Sequence, residues 1–247
     1  MRLPLATGTF ESEQKQEIVS APIFTAQSFK FLEELKDNNT RLWFNANKER
    51  YIEDVRESLS KFIVEMQAPL ANISQHLVAD PRPVGGSMFR IYRDTRFSKD
   101  KTPYKTHAAV HFRHSVDKDV HGPGLYFHMG PEENSVGGGI WHPETVVVRR
   151  IRQYIVDHSE QWVTIKDAPD FVRAFGSVRG DALKRVPREF DSDHPLADDL
   201  RLKDFWARHD MSRKDVTSSN LVAEMTRMFE TLSRFMAFLA KAVGLPW

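Results

Sequence analysis

The stretch HAAVHFR, residues 107–113, decides the fold class because its side chains alternate between two kinds. Apolar side chains occupy positions 108, 110 and 112, whereas histidine, alanine and arginine fill the positions around them. Successive side chains of a β-strand point to opposite faces, so this alternation predicts a strand that is buried on one face only. The histidines of the strand are therefore expected to face water.

Similar short segments lie on both sides of this strand. LYFHM, residues 125–129, alternates in the same way after a turn at residues 121–124. Phe89 and Ile91 predict the buried face of an earlier strand, and residues 136–141 predict a later strand that three consecutive glycines interrupt. Four short strands with mostly short connections are typical of an antiparallel meander.

Helical periodicity precedes and follows these strands. The expected helix starts are Thr25, Asn47, Pro143, Asp167–Pro169 and Pro195. Phe205 and Trp206 indicate a further strand, and apolar residues spaced four and three apart predict a final helix over 221–242. The sequence therefore predicts an α+β fold, with an antiparallel β-meander sheet packed against amino-terminal and carboxy-terminal helices.

Length and composition indicate one globular unit. The chain has 247 residues, of which 40% are hydrophobic and 28% charged, and these are ordinary values for a globular domain. Residues 1–22 show no periodicity and predict a flexible amino-terminal tail, and residues 23–247 predict a single α+β domain. The stripe of the last helix could pair with a partner chain, but packing within the chain is favoured. The sequence leaves the oligomeric state open.

Composition also excludes several classes of protein. The chain has no cysteine, so thiol catalysis and disulfides are excluded, and a reducing compartment is favoured. No apolar run approaches the roughly 20 residues of a membrane span, and no signal peptide is expected, so we predict a cytoplasmic protein without a membrane partner. The net charge of +1 argues against a globally basic nucleic-acid binder.

The stretch RIYRDTRFSKDKTPYKTH, residues 90–107, concentrates positive charge. It holds six arginine and lysine residues against two aspartates, with three aromatic residues between them. Arginine and lysine side chains at the end of a strand could bind a phosphate or a carboxylate, and Asp94 and Asp100 would orient them. The alternative is a structural network in which Asp94 pairs with Arg93 or Arg96 and Asp100 pairs with Lys101.

The residues predicted to bind a ligand lie mostly in this basic stretch. They are Arg90, Arg93, Asp94, Arg96, Asp100, Lys101, Tyr104 and Lys105, together with Gly138 and Arg152 outside it. The site would need a pocket where the basic stretch meets the glycine-rich strand and Arg149 or Arg152.

Other kinds of site are not indicated. Gly137-Gly138-Gly139 is not followed by the lysine of a phosphate-binding loop, so close backbone packing is favoured there. His107 and His111 would lie roughly 13 Å apart on one strand, which is too far to share a metal. No metal and no cofactor are expected. Neither a catalytic residue nor a reaction is assigned, so the sequence leaves open whether the protein is an enzyme.

The basic stretch also resembles a known family. The order R-x-Y-R-D-x-R-F-S-x-D-K-x-P-Y-K over residues 90–105, followed by Gly-Gly-Gly-x-Trp at 137–141, resembles the bacterial and fungal domain of unknown function 2461 family. Residues 38–51 and 183–203 resemble further segments of that family, so the resemblance covers most of the chain from about Phe24. The resemblance implies that the basic stretch matters, and it implies no activity.

Three functions remain in competition. The first is an enzyme or sensor for a small anionic ligand, phosphorylated or carboxylated. The second is a nucleic-acid binding module, which the charge balance makes the weaker alternative. The third is a structural or interaction protein with an ion-paired hairpin, against which the local concentration of arginine counts. The first function is favoured.

Overall fold

The fold is α+β and rests on an antiparallel sheet. The computed structural model describes residues 21–116 and 122–247. Within those residues five strands follow one another across the sheet in chain order, so the predicted meander is confirmed. The strands are β1 Leu77–Val78, β2 Ala108–His114, β3 Gly124–Met129, β4 Asn134–Ile140 and β5 Phe205–Asp210. Residues 1–20 of the predicted tail and residue 121 of the predicted turn lie outside the described residues.

Helices precede the sheet in the chain and follow its first four strands. The first group is α1 Ala26–Asp37, α2 Arg41–Ala46, α3 Lys48–Tyr51, a π-helical turn Ile52–Arg56 and α4 Glu57–Ile73. The second group is α5 Thr145–Asp157, α6 Ser159–Lys166, α7 Pro169–Phe175, α8 Ala197–Arg201, α9 Arg213–Val216 and α10 Leu221–Ala242. In the described ranges, none of these helices has the length and apolar character that a membrane span needs.

One face of the sheet supplies the core. Val110 lies opposite Phe127 in the register of β2 and β3, and Phe112 lies opposite Leu125. All four side chains are fully buried. Helices α4 and α10 cover this face, and the ring of Phe229 on α10 meets the ring of Phe112 edge to face. Burial of each such side chain stabilises the fold by about 1.5–3 kcal/mol, so the predicted alternation on this face has a clear energetic basis.

The last helix packs its apolar stripe into the same core. Leu232, Phe235 and Leu239 are fully buried. The ring of Phe235 lies 5.7 Å from that of Phe171 and 6.0 Å from that of Trp162. The predicted packing of the final helix within its own chain is confirmed.

The first two predicted helix starts are both observed, but only the first has a side-chain cap. The hydroxyl of Thr25 accepts a hydrogen bond from the backbone N–H of Gln27 at 3.2 Å, so Thr25 caps α1 as predicted. Asn47 is the N-cap residue of α3 as predicted, but its side chain caps no backbone group there because its amide nitrogen bonds to the carbonyl of Trp43 at 2.9 Å and its amide oxygen accepts from Arg50.

Proline marks the later helix starts only approximately. Pro169 opens α7 as predicted. The helices expected to open at Pro143 and Pro195 begin two residues later, at Thr145 and Ala197, because the residue after each of these prolines serves as the N-cap.

The predicted first strand was partly wrong. Residues 87–91 run beside β2, and Phe89 donates its backbone N–H to the carbonyl of Ala109 at 3.0 Å, but they do not form a regular strand. The expected alternation of buried and exposed side chains therefore fails. Met88 and Ile91 are buried, whereas Phe89 is only half-buried. Phe89 faces the opposite side of the sheet from the core.

The three glycines of β4 do not interrupt this strand, so the expectation of an interrupted strand was wrong. β4 pairs continuously with β3 and β5. A Cβ at Gly137 would lie 2.3 Å from the carbonyl oxygen of Ala207, and one at Gly139 would lie 2.2 Å from that of Phe205. Gly139 also has φ of +148°, which other residues rarely adopt. The glycines therefore allow the backbone of β5 to approach closely, which is the packing role that the sequence favoured for them.

Candidate functional site

The face of the sheet opposite the core carries a cavity of about 590 Å³. It lies between the strands and the segment that contains Phe89 and Lys105. Its aromatic lining residues are Phe89, Tyr126, Trp141 and Trp206, and its ionisable lining residues are Lys105, His107, His111, His128, Glu133 and Arg208. Small-molecule sites in proteins commonly occupy 300–1,000 Å³ and combine apolar walls with a few polar groups, as this cavity does.

The register of the sheet brings the polar side chains together. His111, Tyr126, Gly137 and Arg208 form one row of neighbours from β2 to β5. His128 lies two residues from Tyr126 and therefore on the same face. The sheet thus presents two imidazoles, a phenol and a guanidinium on one surface.

A chain of polar contacts crosses the cavity. The hydroxyl oxygen of Tyr126 lies 3.3 Å from Nδ1 of His128. Nε2 of His128 lies 3.6 Å from Oε1 of Glu133, and Oε2 of Glu133 accepts a hydrogen bond from Arg208 at 2.7 Å. The ring of His107 lies against that of His128, with centroids 4.5 Å apart. These contacts fix the orientation of His128, because it has a neighbour at each ring nitrogen.

Burial keeps the imidazoles and the phenol of this cavity neutral. It lowers the pKa of His107 and of His111 to about 4, and it lowers the pKa of His128 as well. Burial also raises the pKa of Tyr126 to about 12. At neutral pH the cavity therefore offers neutral imidazoles and a phenol, which donate and accept hydrogen bonds without adding charge.

Lys105 adds a positive charge to a lining in which the other charged side chains, Glu133 and Arg208, are paired with each other. Its ammonium nitrogen lies 5.1 Å from the centroid of the Phe89 ring. Burial, followed by repulsion from Arg90, lowers the pKa of Lys105. Within the part of the chain that the structure describes, no carboxylate forms an ion pair with Lys105. The half-buried ammonium therefore has an aromatic face beside it and no anion.

The rest of the basic stretch forms a narrow hairpin. Arg93 donates its backbone N–H to the carbonyl of Pro103 at 2.9 Å, and Lys105 donates to the carbonyl of Ile91 at 2.7 Å. The ammonium of Lys101 donates to a backbone carbonyl in the loop at 2.8 Å. The hairpin places Lys105 at its base, toward the sheet, and Lys101 in its exposed loop.

Tyr104 anchors this hairpin to the amino-terminal helices. It is buried, and its ring stacks on that of Phe44 with centroids 4.0 Å apart. The side chain of Asn39 holds the Tyr104 backbone at both ends, with its amide nitrogen 2.9 Å from the carbonyl oxygen and its amide oxygen 3.1 Å from the N–H. The phenol ring therefore packs against helix α2 and does not line the cavity.

Ion pairs occupy the arginines of the loop. Arg96 binds Asp94 with two nitrogen atoms, at 3.0 and 2.7 Å, and this hydrogen bonding lowers the pKa of Asp94 to about 2. Arg93 bonds to Asp100 and to the hydroxyl of Thr102. The backbone N–H of Thr102, followed by Arg93, lowers the pKa of Asp100 to about 2. Asp100 therefore pairs with Arg93 and not with the lysine that follows it, which corrects one partner in the alternative network.

The predicted ligand-binding residues thus fall into separate places. Lys105 and Gly138 line the cavity. Arg90 is exposed but close enough to influence the charge of Lys105. Arg152 is buried and donates to the carbonyl of Leu202 at 2.7 Å, outside the cavity lining. The structure brings the basic stretch and the glycine-rich strand together, and it places Arg152 elsewhere.

The sequence analysis missed the histidines and Tyr126 as site residues. His111 and His128 were expected to face water, but they are only 8% and 9% exposed. The expectation was wrong because the ring of Phe89 lies 6.3 Å from that of His111, and the rings of His107 and Tyr126 pack against that of His128. A signal was present: His111, Tyr126 and His128 occupy one face of two paired strands, next to the glycines of the third.

The histidines do not form a metal site by their arrangement. Across residues 21–116 and 122–247, no group of three or more histidine, cysteine, aspartate or glutamate residues is placed to hold a metal ion. The cavity is suited to hydrogen bonding and ring stacking.

Comparison with known proteins adds one finding. A family model described as "Conserved hypothetical protein (DUF2461)" matches residues 27–238. The match includes the sheet, the basic stretch and every lining residue of the cavity. No curated protein and no solved structure matches the chain.

Proposed function

The chain belongs to the DUF2461 family of conserved hypothetical proteins, whose description states no activity, and we propose from its geometry that it binds a small anionic ligand. The ligand carries a phosphate or a carboxylate and occupies the cavity on the sheet. Lys105 pairs with the anionic group.

The observation behind this proposal is the position of Lys105. A charged group that leaves water loses solvation, and the loss is recovered when an opposite charge lies beside it. Lys105 is half-buried at the cavity wall, and in the described residues no carboxylate pairs with it. An anion in the cavity would restore the missing partner and raise the pKa of Lys105 toward its usual value.

Neutral groups around Lys105 complete the proposed site. Tyr126 and the imidazoles of His107 and His128 can hydrogen-bond the oxygens of a phosphate or carboxylate without repelling it. Arg90 and Arg93 add positive potential at the same end, since their charges act on Lys105 and His107 respectively. These two arginines attract the anion, and Lys105 contacts it.

The remaining predicted residues take a supporting role in this proposal. Arg96 with Asp94, and Arg93 with Asp100, stiffen the hairpin loop. Lys101 binds the loop backbone. The supported loop holds Lys105 at the base of the hairpin.

A thermal-shift titration with inorganic phosphate and with benzoate tests the proposal. A ligand at about a hundred times its dissociation constant adds ~2.7 kcal/mol of stability, which is readily measured. We expect Lys105→Met to abolish the shift and to leave the unliganded protein at least as stable. Lys99→Met is the matched control, because Lys99 is exposed in the same hairpin and its removal changes the net charge equally.

Three outcomes would count against the proposal. The first is a shift of equal size in the two variants, which would show that Lys105 is not the anion partner. The second is no shift with any anion. The third is affinity for a mixed-sequence oligonucleotide that falls steeply with salt, which would favour nucleic-acid binding.

A cytoplasmic location is also part of the proposal, and cell fractionation checks it.

A further inference from the structure

The floor of the cavity is bare backbone. Gly137 and Gly139 of β4 occupy the face that carries Tyr126 on β3 and Arg208 on β5. Neither glycine has a side chain, so the peptide groups of β4 are exposed to the cavity between its neighbours. Because β4 is hydrogen-bonded on both sides, this floor is held in place.

The close approach of β5 requires these glycines, and that requirement does not conflict with a second role. Any side chain at Gly137 or Gly139 would collide with the backbone of β5. The packing constraint therefore leaves a surface without side chains that a ligand can cover.

Aromatic side chains surround this floor. Phe89 and Tyr126 meet with ring centroids 6.1 Å apart and planes inclined at 66°, which forms a corner on the side of Lys105. Trp206 lies beside Gly139 in the register of β4 and β5, and Trp141 follows β4. Aromatic rings pack against other aromatic groups in offset-stacked or edge-to-face arrangements, so these side chains favour a ligand that is itself aromatic.

Lys105, the proposed anion partner, and the glycine floor of the cavity lie apart across the strands of the sheet. Phe89, next to Lys105, belongs to the segment beside β2, and the floor belongs to β4. Neighbouring strands are about 4.8 Å apart, so three such spacings separate the two by roughly 14 Å. The side chain of Lys105 covers part of this distance, and a ligand with more than one ring covers the rest.

We propose that the cavity selects an elongated aromatic acid, whose anionic group binds Lys105 and whose fused rings cover Gly137 and Gly139 beside Trp206. This inference rests on the proposed function, because it uses the same anion partner. It adds the chemical class of the ligand: a planar, multi-ring carboxylate or phosphate ester.

Calorimetric binding of paired probes tests the inference. The probes are 2-naphthoate, its saturated counterpart decahydro-2-naphthoate, and benzoate as the single-ring acid. We expect 2-naphthoate to bind at least tenfold more tightly than either of the others. Trp206→Leu should remove most of the preference for the flat compound, and Trp247→Leu, a half-buried tryptophan outside the cavity, should retain it. Circular dichroism confirms that both variants are folded.

The outcomes separate this inference from the proposed function. Equal affinity for 2-naphthoate and its saturated counterpart would overturn the aromatic inference. If Lys105→Met then bound neither acid, the proposal of anion binding would stay intact. Binding of phosphate or benzoate without tighter binding of 2-naphthoate would do the same. Failure of all anions to bind would overturn both proposals.

Discussion

The ring of Tyr104 stacks on that of Phe44, and this contact ties the basic hairpin to helix α2. Tyr104→Phe should leave stability within about 0.5 kcal/mol, because the hydroxyl has no hydrogen-bond partner among the described residues. Tyr104→Ala should cost about 3–5 kcal/mol, since it removes a buried ring. Urea unfolding measures both. If Tyr104→Phe lost anion binding while keeping its stability, Tyr104 would be a ligand contact as the sequence predicted.

The contact between Lys105 and Phe89 gives a second prediction. A cation beside an aromatic face is worth about 0.5–2 kcal/mol, depending on how far it is desolvated. A double-mutant cycle of Lys105→Met and Phe89→Leu should therefore show a coupling energy in this range. Chemical unfolding of the wild type, both single variants and the double variant supplies the measurement. Strict additivity of the two changes would show that the ring does not stabilise the ammonium.

Ion pairing in the hairpin loop gives a third prediction. Arg96 and Asp94 are both exposed, so Arg96→Ala should leave the free energy of unfolding almost unchanged. Arg93→Ala should cost more, because Arg93 is less exposed and also bonds to Thr102. Urea unfolding of both variants makes the comparison. A loss of stability on Arg96→Ala that exceeds the loss on Arg93→Ala would contradict this assignment. The same variants show whether Arg96 also contributes to anion binding.

The extent of the domain gives a fourth prediction. A cluster of buried residues runs from Ile23 to Leu239 in the described chain, and we propose that residues 23–247 unfold as one domain. Leu232→Ala should cost about 2–5 kcal/mol and shift the whole transition, whereas the exposed Glu230→Ala should not. Far-ultraviolet circular dichroism and tryptophan fluorescence should give coincident curves. Two separated transitions would indicate more than one domain.

The core face of the sheet was readable from the sequence, and the cavity face was not. Val110, Phe112 and Phe127 alternate with polar residues, and local periodicity suffices to predict which face of their strands is buried. Burial of His128 depends instead on His107, and burial of His111 depends on Phe89, which lies in a segment of irregular backbone beside β2. Its position is set by individual hydrogen bonds, such as that between Phe89 and Ala109, which leave no periodic signal.

The basic stretch shows a similar division. Its composition predicted a cluster of charge, and the pairing of Asp94 with Arg96 was one of the two partners considered. The distinct position of Lys105 was not visible, because it depends on the hairpin reversing between Arg93 and Pro103. Because the chain reverses there, Lys105 lies on the side of the hairpin that returns to the sheet. Arg93 lies on the opposite side, and Arg96 lies in the loop.

Buried histidines give the final prediction, which concerns pH. The folded pKa of His107 and of His111 is about 4, below the usual value of 6.5, because both are buried. Arg113 acts on His111 in the same direction, and Lys105, Arg93 and His128 act so on His107, with Glu133 opposing. Between about pH 4 and pH 6.5, these two histidines therefore bind protons more readily in the unfolded chain than in the folded one.

The stability contributed by the neutral imidazoles is thus complete above about pH 6.5 and is lost as the pH falls toward about 4. For His111 the loss is on the order of 3 kcal/mol, since each pKa unit corresponds to about 1.4 kcal/mol. Asp94 and Asp100 titrate below this window, because their pKa values are lowered to about 2. Urea unfolding at several pH values should show the decline, and His111→Leu, which removes one titrating group, should make it shallower. A stability that stayed constant from about pH 7 to pH 4.5 would mean that these rings are protonated without cost, and so that the cavity is open to water.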